Sequence, residues 1–315
     1  MTYLLFPSPP RVLLGPQRLR PFLVEAVRRA GIEGPIGVVT AGWQEREEEV
    51  DELREHLGRR VVNLRLYQRA EQVLAGDREL FRAYRDRQER LRRLQELYRL
   101  RLAYALDAVR DLQSRRLAPE LLEPERSAAI ATVRALDAHH LARIAEVHAA
   151  FAEAWRPMER DSVARHRQEL AALAAQCAAF GVAGGHVAVL LNRLRLFGVG
   201  EMMADKPLFA WSGGAMVLAR RLVLFHDHPP QGRGNAEVLE AGLGLVGDVL
   251  PLPHARRRLD LADPSRVALL ASRFAGEACL TLDDGAELSW NGSRWRANAE
   301  VRKLLPDGTL TVGPR

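Results

Sequence analysis

Apolar residues fall along this chain in two alternating rhythms. In the first 66 residues short apolar runs sit between amphipathic stretches. RVLLG (11–15) reads as a buried strand, and LRPFLVEAVRRAG (19–31) has helical spacing that ends on glycine. PIGVVTAG (35–42) reads as a second strand ending in a turn. WQEREEEVDELREHLG (43–58) follows as a helix, with acidic residues in its first turns where the helix dipole stabilises them. RVVNLRLY (60–67) is a third strand. Strand, helix, strand, helix, strand predicts a parallel sheet with right-handed crossovers.

From about Glu71 to Gln176 the strand rhythm stops. Leu94, Tyr98, Leu102, Leu106, Val109 and Leu112 fall at three- and four-residue steps, which puts them on one helix face. Pro119 and Pro124 interrupt the pattern, a second helical stretch is expected from about Glu125 to Trp155, and Pro157 opens a third. The segment is an α-helical insertion whose simplest packing is a helix hairpin. His139 and His140 within it read as surface residues.

Alternation then resumes. AAFGVAGG (178–185) is a strand ending in paired glycines, VAVLLNRLRLFG (187–198) a helix, and PLFAWS (207–212) another strand. GAMVLARR (214–221) starts a helix, LVLFHD (222–227) is a strand, and DVLPLPH (248–254) is a strand ending at a histidine. DPSRVALLASRFAG (263–276) is a helix with Asp263 as N-cap and Pro264 at its first position. The remaining tail has two Asp-Gly turns and one Asn-Gly turn between short runs, which predicts antiparallel strands at the sheet edge. The chain therefore divides into a first part of an α/β domain (1–70), the helical insertion (71–176) and a second part of the α/β domain (177–315).

Composition narrows the function classes. An apolar fraction of 47% is that of a globular protein. No uncharged apolar run approaches the ~18 residues of a membrane span. MTYLLFPSPPRVLLG lacks a basic lead and a long apolar stretch, so a cytoplasmic protein is expected. Cys177 and Cys279 are far apart with no metal-type spacing, and read as small buried residues. The formal charge of +6 comes almost wholly from arginine, with Lys206 and Lys303 the only lysines. In QERLRRLQELYRLRL the arginines alternate with acids, as on a solvated, salt-bridged helix, so no nucleic-acid partner is expected.

Candidate chemistry gathers where open α/β sheets bind ligands, beyond the C-terminal ends of the strands. There lie the turn Ala41–Gln44, the step Gly184–Gly185–His186, Ser212, Asp227 and His254. In FAWSGGAM an apolar run meets Ser212 and two glycines, as at a tight strand-to-helix turn that presents a nucleophile. A serine needs a base, and His254 is the candidate; Asp227 is the candidate to orient it, with Glu237 or a backbone carbonyl as alternatives. The N–H groups of Gly213 and Gly185 are candidate oxyanion donors. Trp43, Gln44 and Glu45 either overlie the site or cap a helix start, and Arg256, Arg257 and Arg258 either bind a substrate carboxylate or form a solvated run. His226 and His228 flank Asp227 without a third ligand, and neither a metal nor another cofactor is expected.

Several of these segments, in this order, resemble the dipeptidase E and cyanophycinase family of serine peptidases. WSGGAM resembles its nucleophile turn, AGGHVAVLLNRL is similar to its Gly-Gly-Asn/Asp segment and leucine-rich helix, and GLGLVGDVLPLPH is similar to the segment leading to its catalytic histidine. The resemblance covers about 1–66 and 178–315. It implies a flavodoxin-like, mostly parallel, doubly wound sheet shared with class I glutamine amidotransferases. It also implies Ser212 as nucleophile, His254 as base and Asp227, fifteen residues after the serine, as the third member. A serine instead of a cysteine at the turn speaks against an amidotransferase. Gly213 stands where the family usually carries alanine, and His186 where it carries Asn or Asp, among the substrate-binding positions with Gly184. The helical insertion has no counterpart in the compact dipeptidases.

The expected activity is hydrolysis of a small peptide or amide, of acidic or β-aspartyl type by resemblance. The alternative is a non-catalytic scaffold or sensor that binds a partner through the insertion. The insertion is also expected to cover the site or to carry a homodimer.

Overall fold

The computed structural model of the protein describes residues 9–18, 21–58, 61–227 and 234–314. The N-terminal alternation folds as β1 (Arg11–Leu14), α1 (Leu23–Arg29), β2 (Ile36–Val39), α2 (Asp51–Leu57) and β3 (Val61–Asn63). The helical segment comprises α3 (Leu66–Gly76), α4 (Arg78–Ser114), α5 (Pro119–Trp155) and α6 (Asp161–Gln176). Then come β4 (Ala179–Val182), α7 (Val187–Leu196), α8 (Val199–Met203), β5 (Leu208–Trp211) and α9 (Gly213–Leu218). After these lie β6 (Arg221–Leu224), β7 (Glu237–Ala241), β8 (Val249–Pro253), α10 (Ala255–Arg258) and α11 (Pro264–Arg273). The chain closes with β9 (Ala278–Leu282), β10 (Glu287–Trp290), β11 (Trp295–Ala297), β12 (Arg302–Leu304) and β13 (Leu310–Val312).

The main sheet runs β11-β10-β1-β5-β4-β2-β3. Its five strands from β1 to β3 are parallel, and β10 and β11 add an antiparallel edge beside β1. β1, β2, β4 and β5 are buried along their whole length, as strands covered on both faces by helices must be. The protein is thus α/β with a mostly parallel sheet, a large helical segment and antiparallel C-terminal strands.

The tail departs from its expected geometry in one respect. β9 pairs parallel with β8, from Val249↔Ala278 to Pro253↔Leu282, in a second sheet of order β13-β12-β9-β8. The cause is connectivity: α11 lies between β8 and β9, and a helical crossover returns the chain in the same direction. Asp263 caps that helix as expected, its carboxylate accepting from the N–H of Ser265 at 3.0 Å.

Two other departures have one cause, the inward turn of Glu47. The expected helix over 43–58 is instead a short 3₁₀ segment, Ala41–Arg46, broken at Gln44 (φ 58°, ψ −124°), with α2 starting only at Asp51. The expected strand over 60–67 stops at Asn63, and α3 begins after Arg65 in left-handed conformation. The buried Glu47 carboxylate accepts from the N–H groups of Tyr67 and Gln68, both at 2.9 Å, and so caps α3. Burial raises its pKa against these bonds. A tertiary contact therefore ends one element and starts the next.

In the helical segment α4 and α5 form the expected hairpin, with Tyr98, Leu102, Leu106 and Val109 buried. Pro119 occupies the first turn of α5, where a missing N–H costs nothing, and Pro124 lies inside the same helix without ending it. The hairpin is fastened to the α/β body by a buried network. Arg273 of α11 donates to Asp137 of α5 and to the Tyr98 hydroxyl of α4, each at 2.7 Å. The Val238 N–H donates to the same hydroxyl at 3.1 Å. His140 is buried, stacked on Tyr98 at 4.0 Å and bonded to Gln95 at 2.9 Å, so it is not the surface residue its polarity suggested. No helix among the described residues is long and apolar enough to cross a membrane.

Candidate active site

The parallel register brings the C-terminal ends of β2, β4 and β5 side by side, and glycines let their loops touch. A Cβ on Gly184 would lie 2.7 Å from the Ser212 Cβ, and one on Gly185 2.2 Å from the Gly42 carbonyl oxygen. Beyond β5 the chain turns sharply at Ser212, which holds φ 51° and ψ −128° before α9. Such a conformation costs an L-residue on the order of 1–3 kcal/mol and persists only where its surroundings enforce it. Gly214 enforces it here: a Cβ there would sit 2.1 Å from the Val182 carbonyl oxygen, so α9 can press against the end of β4 only with glycine.

His254 ends β8 in left-handed conformation (φ 57°), its N–H donating to the Leu282 carbonyl at 3.1 Å. The two turns bring Ser212 Oγ to 3.0 Å from His254 Nε2, a hydrogen bond across 42 residues of sequence. For the serine to donate, the imidazole must be neutral, with its proton on Nδ1. Burial lowers the His254 pKa, as do the charges of Arg258 and Arg257, while Asp284 acts in the opposite sense. At neutral pH the group is therefore a free base, as proton abstraction from a hydroxyl requires.

Asp227 is brought near this turn without bonding to the imidazole. Its carboxylate accepts from Arg266 Nη2 at 2.5 Å, Arg266 Nε at 3.1 Å and the Asp260 N–H at 2.8 Å, and its own N–H donates to the Arg258 carbonyl at 2.6 Å. The aspartate ties down the chain just after His254 and does not orient the ring directly. Glu237 is also elsewhere, bonded to Arg99 and Gln95. At the end of β9, beside β8, sit Asp283, which accepts from the Arg256 N–H at 2.9 Å, and Asp284, whose charge reaches His254.

The expected oxyanion donors adjoin the serine. Neither the Gly213 N–H nor the Gly185 N–H has a hydrogen-bond partner among the described residues, and Gly185 has φ +103°, which favours glycine. A cleft of about 660 Å³ opens at this point, lined by Ser212, His254, Gly184, Gly185, Gly213 and Trp43. Trp211, Arg18, Arg46, Arg258, Glu49 and Glu52 complete much of its wall.

Other expected contacts fall away. His186 is the N-cap of α7, its Nδ1 accepting from the Val189 N–H at 3.3 Å, and it does not line the cleft. Glu45 accepts from the Tyr67 hydroxyl at 2.8 Å, and Gln44 forms the kink; neither lines the cleft. Of the three consecutive arginines, only Arg258 reaches the cleft, while Arg256 faces Glu300. Arg18 and Arg46 escaped the sequence reading, although each follows a parallel strand at its C-terminal end. His228 lies outside the described residues.

No known family profile and no curated protein sequence matches the chain. Among solved structures it is similar to a peptidase from an acI-B1 actinobacterium. That match has 13% identity and a TM-score of 0.48, and covers 97% of each chain. It is also similar, with 16% identity and a TM-score of 0.31, to a protein proposed to be a peptidase E from Listeria monocytogenes EGD-e. That match covers 42% of this chain and 64% of the other.

Proposed function

We propose that the protein is a serine hydrolase that cleaves a small peptide or amide, and the observation that carries this is the 3.0 Å Ser212–His254 hydrogen bond at a strained turn. Ser212 Oγ attacks the substrate carbonyl as His254 Nε2 takes its proton. The N–H groups of Gly213 and Gly185, without a partner among the described residues, receive the oxyanion. His254 then gives the proton to the leaving amine, and a water attacks the acyl-enzyme by the same route in reverse. Asp284 supplies the negative charge that favours the imidazolium in the transition state, in place of Asp227.

Three arginines against two glutamates on the cleft wall favour a substrate with a carboxylate near the scissile bond, which agrees with the acidic peptides that the sequence resemblance implies. A cytoplasmic setting fits the two buried free thiols, Cys177 and Cys279. The test is labelling by a serine-directed phosphonate, followed by turnover of short acidic peptides. The wild type is expected to label at Ser212, and Ser212→Ala to lose both labelling and at least ~10³-fold in kcat. A wild type that neither labels nor turns over these peptides would count against the hydrolase and favour the non-catalytic scaffold.

A further inference from the structure

A second cavity of about 880 Å³ lies between the helical hairpin and the α/β body. That volume falls in the range of roughly 300–1,000 Å³ typical of small-molecule sites. Its walls are mainly apolar, with Leu91, Leu141 and Ile144 from the hairpin facing Leu194, Leu239 and Leu243 from the body. The nucleophile is not part of its lining. Ala188 lines this cavity while Val187 lines the catalytic cleft, so the first turn of α7 stands between them.

Four arginines line the cavity, and three are already neutralised. Arg195 is paired with Glu240 at 2.7 Å, Arg92 with Glu89 at 2.8 Å, and Arg99 with Glu237 at 2.6 Å. Arg87 has no carboxylate partner among the described residues. Its guanidinium lies in the corner made by the edge-to-face rings of Tyr84 and Phe151, at 4.0 and 4.2 Å from their centroids. One weak bond, to Asn192 Oδ1 at 3.3 Å, uses one of its five N–H donors, and its Nε is buried without a partner. The two carboxylates on the same wall do not compensate it: Glu240 is engaged by Arg195 and His148, and Glu201 is exposed.

An oriented guanidinium with free donors in an apolar chamber is complementary to a single carboxylate on an apolar body. Contact with the two rings leaves its other N–H groups for bonds to a carboxylate. We propose that this cavity is a binding site for a medium-chain alkyl monocarboxylate, with Arg87 holding the carboxylate and the leucine-lined walls holding the chain. Such a ligand brings one negative charge to the unpaired cation and buries its alkyl chain against the apolar wall.

The experiment is isothermal titration of the full chain with decanoate, decanol and N-acetyl-trileucine, with decanoate below its micellar range. Decanoate is expected to bind saturably at one site, with decanol at least tenfold weaker. Arg87→Met, which keeps an uncharged side chain of similar length against the two rings, is expected to lose at least tenfold affinity for decanoate. Labelling of Ser212 by the phosphonate is expected to leave decanoate binding unchanged. Absence of saturable binding to the wild type, or equal affinity for decanol, would overturn the proposal without recourse to any variant. So would loss of binding after labelling, which would place the ligand in the catalytic cleft, and so would tighter binding of the peptide than of decanoate. Apart from the labelling arm, which needs Ser212 to react, these outcomes do not depend on whether Ser212 is a working nucleophile.

Discussion

Replacing Asp227 by asparagine separates an anchoring role from a catalytic one. The wild-type carboxylate is 7% exposed and holds Arg266, itself 21% exposed, through two bonds. Asp227→Asn keeps the shape and one acceptor but leaves the guanidinium charge uncompensated. Breaking a buried pair from one side costs on the order of 3–5 kcal/mol, and the partial exposure of Arg266 places this case near 3 kcal/mol. For a chain of this size about 2 °C accompanies each kcal/mol, so the midpoint of thermal unfolding is expected to fall by roughly 6 °C. Because no hydrogen bond joins Asp227 to His254, kcat measured well below that midpoint is expected to fall by less than about tenfold. An aspartate that orients the base directly would cost ~10⁴-fold when changed to asparagine. The assay pairs calorimetry with peptide turnover, and adds Arg266→Met alone and combined with Asp227→Asn. The double variant is expected to lose less stability than the two single losses summed, since removing both charges leaves none buried unpaired. A loss of 10³-fold or more in kcat with unchanged unfolding would refute this account and restore Asp227 to the triad.

Three further outcomes follow from the same geometry. Activity requires neutral His254, so kcat/KM is expected to fall as pH drops through a pKa below the ordinary histidine value. Arg258→Met should move that acid limb to higher pH by removing a depressing charge, and Asp284→Asn should move it to lower pH; a limb indifferent to both would remove these groups from the site. Gly214→Ala forces a methyl to 2.1 Å from the Val182 oxygen, and is expected to cost at least ~3 kcal/mol in denaturant unfolding along with loss of phosphonate labelling. Asp137→Asn opens the pair with Arg273, in which both side chains are 2% exposed, and is expected to cost ~3–5 kcal/mol with raised hydrogen exchange in α4 and α5; native-like exchange there would show that the hairpin is held by other contacts.

Much of the fold was legible because its signals are local. The fully buried runs RVLL, IGVV, AFGV and LFAW gave four parallel strands close to their observed limits, and the leucine spacing of α4 gave its buried face. The glycines of FAWSGGAM and AGGH marked the turns on which the candidate donors sit, and a strand ending at His254 marked the candidate base. Periodicity and turn chemistry act over a few residues, and a sequence displays them directly.

Pairing across the chain was decided elsewhere. Whether β9 ran parallel or antiparallel to β8 depended on the α11 crossover, and that choice alone set Asp283 and Asp284, instead of the far end of the strand, beside His254. Asp227 looked like a triad member because it ends a strand near the serine, but Arg266, thirty-nine residues on, claims its carboxylate. Glu47 read as one acid among several on a helix, yet it turns inward to cap α3 and so ends both the expected helix and the expected strand. A charged side chain bonds whichever partner folding brings within about 3 Å, and that partner is set by packing over tens of ångströms of chain, not by neighbours in sequence. The sequence by itself determined where a nucleophile and a base could be presented; only the tertiary structure decided which charges surround them.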